Sequence, residues 1–131
     1  MTKFILDLDQ YIPTLDDEKA KAIISRDLGR FINERSNFDE EFMNHDKVEI
    51  IVPEYIYTLG VGFFCGLIGY VFSEVGEQVA RKKIKLVNQG EYKANKNYNE
   101  AIRILKRQNS EPYQLNVLNN ESNNSDVEEE E

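Results

Sequence analysis

Apolar and polar residues repeat along the chain with two different periods. Three runs have the short alternation or β-branched composition of strands: 3–8, 48–52 and 84–87. Three longer segments space their apolar residues three and four apart, which predicts amphipathic helices: 15–35, 57–81 and 98–105. Strands that alternate with helices favour parallel pairing. The pattern therefore predicts a single α/β layered domain, with a mostly parallel or mixed sheet covered by amphipathic helices.

Polar residues predict where these elements begin and end. Thr14, which precedes three acidic residues, is the expected N-cap of the first helix. The polar residues 36–47 predict a connection without regular structure. Thr58 is the expected N-cap of the long helix, and Asn95 or Asn97 that of the last one.

Composition divides the chain into an α/β domain, 1–110, and a tail, 111–131. Leu115, Val117 and Leu118 predict at most a weak edge strand, and Val127 is the only apolar residue after Asn119. Such a segment cannot offset its ordering entropy by burying apolar surface, so we expect a flexible acidic tail rich in Asn, Ser and Glu.

Charge is distributed unevenly within the total of −8. Residues 81–110 carry nine basic side chains against two acidic ones, whereas residues 111–131 carry seven acidic side chains and no basic one. Clustered Lys and Arg are candidate phosphate contacts. The alternative function is therefore nucleic-acid binding through the segment 81–107, autoinhibited by the acidic tail. The candidate residues are Arg81, Lys82, Lys83, Lys85, Lys93, Lys96, Arg103, Lys106 and Arg107.

The stretch from Tyr55 to Phe72 carries no charge and has the length of a borderline transmembrane helix. Projected as a helix, 57–81 has an apolar face that includes Phe64, Leu67, Ile68, Val71, Val75 and Val79. A second face carries small residues, and a third carries charges. A charged face that must contact water indicates a helix that lies on a sheet, outside any membrane. The small residues then predict a close contact, either inside the domain or with a partner or a second copy of the chain.

The chain has few residues suited to catalysis or metal binding. Cys65 is its only cysteine, so no internal disulfide can form, which suits a reducing, cytoplasmic compartment. His45 is its only histidine and lies in a polar segment, and Asp7 and Asp9 alone are a weak metal signal. These residues predict a protein that is not an enzyme and that has no metal, cofactor or small-molecule substrate.

The segment that enters the long helix resembles a known signature. It reads Ile56-Tyr57-Thr58-Leu59-Gly60-Val61-Gly62-Phe63-Phe64. This run is similar to the Ile-Asp-Ser-Ser-Gly-Leu-Gly-Ala-Leu signature of STAS domains, the family of sulphate transporters and anti-sigma-factor antagonists. It is closer to the divergent bacterial and phage STAS-like group, where Ser or Thr before a large apolar residue opens the helix. The resemblance spans about residues 3–107 and includes the stretch Arg26-Asp27-Leu28-Gly29-Arg30.

The resemblance implies a regulatory module that binds a protein partner through the start of its long helix. The family's usual partner is a histidine-kinase-type ATPase, which phosphorylates the second Ser of the signature. That position is Leu59 here, and Tyr57 replaces the acidic residue, so only Thr58 keeps a hydroxyl, either as helix cap or as phosphoacceptor. The expected partner-binding residues are Tyr55, Tyr57, Thr58, Leu59, Gly60, Val61 and Gly62.

Overall fold

A computed structural model describes residues 2–110. Along them lie β1 (Lys3–Asp7), β2 (Thr14–Leu15), β3 (Glu18–Lys19), β4 (Ala22–Ile23), α1 (Arg26–Ser36), α2 (Phe38–Asn44), β5 (Lys47–Val52), β6 (Thr58–Leu59), α3 (Val61–Lys83), β7 (Ile84–Asn88) and α4 (Asn95–Ser110). A 3₁₀ turn, Leu8–Gln10, follows β1. The expected tail, with its weak strand at 115–118, lies outside the described residues.

The central sheet contains β1, β5 and β7, in that spatial order and all parallel. The three strands predicted from the hydrophobic pattern are confirmed, and so is the mostly parallel α/β architecture. Alternate residues of β5, namely Val48, Ile50 and Val52, are buried. The residues between them are only partly buried. The helices therefore pack on one face of this sheet, and the other face is accessible within residues 2–110.

The long helix α3 packs between α1 and α4 and contributes the centre of the core. Its predicted apolar face is confirmed over its first three turns, where Phe64, Leu67 and Ile68 are fully buried. The prediction is wrong for Val79, which is 45% exposed. Gly76 explains the difference: its φ of 83° and ψ of 174° interrupt the helix, so the residues beyond it no longer follow one projection.

The first predicted helix, 15–35, is wrong over its first half and confirmed from Arg26 onward. Residues 14–19 form the hairpin of β2 and β3, because Asp16 and Asp17 take positive φ values of 54° and 65° in its turn. Thr14 therefore lies in a strand and caps no helix. The helix begins at Arg26, after Ser25, whose hydroxyl accepts a hydrogen bond from the Leu28 amide at 3.1 Å.

The segment expected to be an irregular connection, 36–47, contains the helix α2. Asn37 separates α2 from α1 by adopting a left-handed conformation, with φ of 58°. Phe38 and Phe42 anchor the short helix in the core, where both side chains are fully buried. Because most residues of the segment are polar, its composition did not predict that these two side chains are buried.

Both remaining cap predictions are wrong. Thr58 lies in β6, and Gly60 precedes the first residue of α3 with no side-chain cap. Asn95 is already inside α4, and the Asn97 side chain bonds to Leu59 instead. The amide of Ala94, just before α4, donates to the Asn88 side chain at 3.0 Å. The acceptor at the start of α4 thus comes from Asn88 in the preceding strand, whereas the sequence predicted a cap at Asn95 or Asn97.

The small-residue face of α3 lies against α1. A Cβ placed on Gly66 would lie 2.2 Å from the carbonyl oxygen of Arg26, and one on Gly29 would lie 2.1 Å from that of Phe63. Only glycine permits this backbone approach. Of the two readings of the stripe, the internal contact is the one confirmed. Over residues 2–110, no helix has the length and apolar character to cross a membrane.

Candidate functional site

Backbone hydrogen bonds to the segment around β4 fix the start of α3. The amides of Tyr57 and Gly60 donate to the carbonyls of Lys21 and Ile23, at 2.9 and 2.8 Å. The Phe63 amide, in the first turn of α3, donates to the Ile24 carbonyl at 3.0 Å. A free helix N-terminus presents unpaired amides to an anion. Here the Ile24 carbonyl, just after β4, accepts from one of those donors.

Leu59 is held from the other side by α4 and the loop before it. The Tyr92 hydroxyl accepts from the Leu59 amide at 3.0 Å and donates to its carbonyl at 3.3 Å. The side-chain amide of Asn97 donates to the same carbonyl at 2.8 Å. The Leu59 side chain is fully buried. Leu59 therefore joins β4, α3 and α4, and is not accessible to a partner.

We expect Tyr92→Phe to lower the free energy of unfolding by about 1–3 kcal/mol, because the Leu59 amide would lose its acceptor inside the protein. Urea unfolding followed by circular dichroism measures the change. Tyr70→Phe is the matched control, since Tyr70 is 58% exposed and should tolerate loss of its hydroxyl. Equal free energies of unfolding for the two variants would contradict the hydrogen bond between the Leu59 amide and the Tyr92 hydroxyl.

The structure separates the expected partner-binding residues into accessible and inaccessible positions. Gly60 is buried with Leu59, and Val61 and Gly62 are partly buried. Tyr55 is also partly buried, and its hydroxyl donates to the Asp9 carboxylate at 2.5 Å. Thr58 is partly exposed and pairs with Ala22 in the strand ladder. Tyr57 is the accessible member, at 66% exposure.

Sequence reasoning missed Ile24, which is 59% exposed although it is a large aliphatic residue. It lies just after β4, next to Gly60, where a Cβ would meet its Cγ2 at 2.9 Å. The spacing of Ile24 fits the apolar face of a helix over 15–35, so the pattern indicated burial. The sequence pattern did not indicate the hairpin at 14–19. After this hairpin the chain continues as a strand, in which neighbouring side chains alternate between faces.

The candidate nucleic-acid-binding residues do not form one uniform surface. Arg103 pairs with Glu100 at 3.2 Å, and Lys106 with Glu77 at 3.2 Å. Arg81 bonds to the same Glu77 at 2.9 Å. The hydrogen bonds from Arg81 and then Lys106 hold the pKa of Glu77 below its usual value. Glu100, on α4, is one of the two acidic residues counted in the segment 81–110, whereas Glu77, on α3, lies outside that segment.

The remaining basic residues lie in several different surroundings. Lys83 lies over the Phe42 ring, with its Nζ 4.3 Å from the ring centroid. Lys82 and Lys85 line a cavity beside β7, together with Lys3 and Lys47 from the other strands of the sheet. Lys93 and Lys96 are exposed outside this cavity, and Arg107 lies near the end of α4.

The other residues considered for catalysis or metal binding, which are Asp7, Asp9, His45 and Cys65, contact other parts of the protein. The Asp7 carboxylate accepts from the Asp9 amide, and His45 Nδ1 lies 2.8 Å from the Glu41 carbonyl oxygen. Burial raises the pKa of the Cys65 thiol, opposed by Arg26, so the thiol is a poor nucleophile at neutral pH. Among the described residues, no group of three His, Cys, Asp or Glu side chains is arranged to hold a metal ion.

Comparison with known proteins adds no relative. No protein-family model, no curated protein and no solved structure matches the chain. The likeness to STAS domains therefore rests on the motif and on the order of strands and helices around it.

Proposed function

We propose that this protein is a non-catalytic regulatory module that binds a protein partner beside the start of α3. The observation that carries the proposal is the exposure of Tyr57 and Ile24 on a backbone fixed by hydrogen bonds. Aromatic side chains are favoured anchors at interfaces, and a rigid backbone lowers the entropy lost on binding. The resemblance to STAS domains supports the same region and the same class of function.

The two exposed side chains flank Thr58 along the paired strands. Tyr57 lies opposite Lys21, and Ile24 follows Ile23, which pairs with Leu59. In an extended strand, three residues span roughly 10 Å. Positions three apart in strand register point to opposite faces, so a partner that contacts both side chains would reach around the paired strands beside Thr58. We propose this pair, called here the Tyr57–Ile24 ridge, as the docking surface, and a histidine-kinase-type ATPase as a partner of the kind the resemblance implies.

A phosphate switch at the signature position has no support in this geometry. Leu59 has no hydroxyl and is buried, and the first turn of α3 already donates to Ile24. Thr58 remains the candidate phosphoacceptor, because it is partly exposed and its hydroxyl is free of a capping role. Phosphate there would add negative charge between the two ridge residues and would oppose docking of an apolar partner surface.

The test compares Tyr57→Ala with wild type in a tagged pull-down from native cells, followed by an affinity measurement with the purified partner. Loss of an interface anchor typically costs about 2 kcal/mol or more, so we expect at least about a 30-fold weaker complex. Tyr70→Ala is the matched control, because Tyr70 is also an exposed tyrosine but lies on the outer surface of α3. It should bind as wild type does.

Equal binding by wild type and Tyr57→Ala would overturn the proposal, provided that circular dichroism shows both to be folded. A charge at Leu59, such as Leu59→Glu, is unsuitable as a probe. It would bury a carboxylate among apolar side chains and would unfold the domain whatever its partners.

A further inference from the structure

The strand β1 lies at an edge of the central sheet, with one hydrogen-bonding side open. Among the described residues, β1 pairs with β5 alone. The Thr2 carbonyl points to β5, because it accepts a hydrogen bond from the Lys47 amide at 3.1 Å. Backbone groups alternate in direction along a strand, so the amides of Lys3, Ile5 and Asp7 point away from β5. Such an outward row of backbone groups is a template for a further strand.

The two faces of β1 have different surroundings. Leu6 is buried and Phe4 is partly buried on the face that the helices cover. Ile5 lies on the opposite face and is 51% exposed. Its register partner in β5 is Glu49, so the sheet offers it no apolar residue directly across. A strand added to the open side of β1 could supply that apolar neighbour.

The charges of β1 are complementary to those of a second copy that runs in the opposite direction. The strand reads Lys3-Phe4-Ile5-Leu6-Asp7. Antiparallel pairing about a twofold axis at Ile5 places Lys3 of each copy opposite Asp7 of the other, and Ile5 opposite Ile5. These are also the residues whose amides point outward, so the same three pairs can exchange backbone hydrogen bonds.

Asp7 carries a charge that this pairing would compensate. Within residues 2–110, no basic side chain forms an ion pair with Asp7. Its carboxylate accepts a hydrogen bond from the Asp9 amide at 3.1 Å. Lys3 already pairs with Glu49 at 3.1 Å, but its side chain is 50% exposed. An ammonium group has three donors, so Lys3 can also reach Asp7 of a second copy.

We propose that this protein forms a twofold dimer in which the β1 strands of two copies pair antiparallel. The two central sheets then join into one continuous sheet. Parallel pairing of two β1 strands in register is disfavoured, because Lys3 would face Lys3 and Asp7 would face Asp7. The dimer uses a surface other than the Tyr57–Ile24 ridge and does not depend on the proposed partner.

The other edge of the sheet, β7, is less suited to a second copy. Its one charged side chain is Lys85, and α3 ends just before it with Arg81, Lys82 and Lys83. Two copies that met at this edge would bring like charges together without an acidic residue of β7 to offset them. Charge therefore favours β1 as the edge that pairs.

Sedimentation velocity of the full chain tests the dimer over a concentration range from about 1 µM to about 500 µM. Pairing of one edge strand gives a small interface, so we expect wild type to shift from monomer to dimer within this range. Ile5→Pro should keep the chain monomeric, because it removes an outward amide and leaves the ladder between β1 and β5 intact. Ile5→Val is the matched control, since it retains the amide and should dimerise as wild type does.

Reversal of the two charges tests the register of the pairing. Lys3→Glu would place two acidic pairs across the interface, and Asp7→Lys would place two basic pairs there. Each variant alone should dimerise at least about tenfold more weakly than wild type. In an equimolar mixture every acidic side chain again faces a lysine, so the mixture should dimerise about as wild type does. Lys93→Glu is the control for the change of charge, because Lys93 is exposed and lies outside β1.

Three results would overturn the proposal, provided that circular dichroism shows the variants to be folded. The first is a wild-type chain that stays monomeric throughout the concentration range. The second is a dimer that Ile5→Pro leaves unchanged, because another surface would then hold the two copies together. The third is a mixture of Lys3→Glu and Asp7→Lys that dimerises no better than each variant does alone.

Discussion

Replacing Gly66 by alanine is expected to lower the free energy of unfolding by about 3 kcal/mol, although alanine is the better helix former. The added Cβ would lie 2.2 Å from the Arg26 carbonyl oxygen and 3.0 Å from the Arg30 amide nitrogen. Both are backbone atoms of α1, so they cannot move aside as a flexible side chain would. The two helices would have to separate, which would disturb the packing between α1 and α3. Urea unfolding monitored by circular dichroism gives the difference directly.

Gly69 provides the matched control in the same helix. A Cβ there would meet only Leu105 Cδ2, at 3.8 Å, which is an ordinary contact. Gly69→Ala should therefore stabilise the protein by up to about 1 kcal/mol through helix propensity. If both variants shift stability equally, α1 and α3 do not approach as described. The small-residue stripe would then be free for a partner or a second copy.

Replacing Phe64 by alanine should cost about 3–5 kcal/mol, as typically measured for deleting a buried aromatic ring. Phe64 is fully buried, and its ring meets the rings of Phe63 and Tyr98 edge-on, with centroids 5.3 and 5.5 Å away. The substitution removes both contacts and leaves a cavity where α3 meets α4. A loss of this size is a large share of the 5–15 kcal/mol that stabilises a typical domain.

Phe31→Ala deletes the same ring from an exposed position of α1. There the ring contacts the Arg35 guanidinium, whose Cζ lies 5.5 Å from the ring centroid. Such an exposed contact is worth about 1 kcal/mol or less. Urea unfolding of the two variants should therefore separate them by more than 2 kcal/mol, estimated from those two values. Similar losses would mean that Phe64 is not at the centre of the core.

Elements with a strong and continuous pattern could be predicted from the sequence. The strand at 48–52 is nearly all β-branched, and the apolar face of α3 recurs at helical spacing over three turns. Their burial follows directly from that composition. The α/β class then follows from the order of strands and helices.

Features that depend on tertiary contacts could not be predicted. The hairpin at 14–19 exists because Asp16 and Asp17 accept positive φ, whereas the same acids suit a helix start equally well. Nothing in the sequence around Leu59 indicates that its backbone forms hydrogen bonds with Tyr92 and Asn97. Both residues lie more than thirty positions away. The basic cavity likewise joins Lys3 and Lys47 to the segment 81–85 only through strand pairing.

The most direct test of the central claim is site-specific photo-crosslinking in native cells. A photoreactive phenylalanine derivative replaces Tyr57 in one variant and Tyr70 in another, since both positions are exposed and tyrosine already occupies them. The account predicts that position 57 crosslinks to the protein that co-purifies with wild type, and that position 70 does not. Crosslinking to that protein from position 70 alone would contradict the account, because docking would then occur on the helical face instead of the Tyr57–Ile24 ridge.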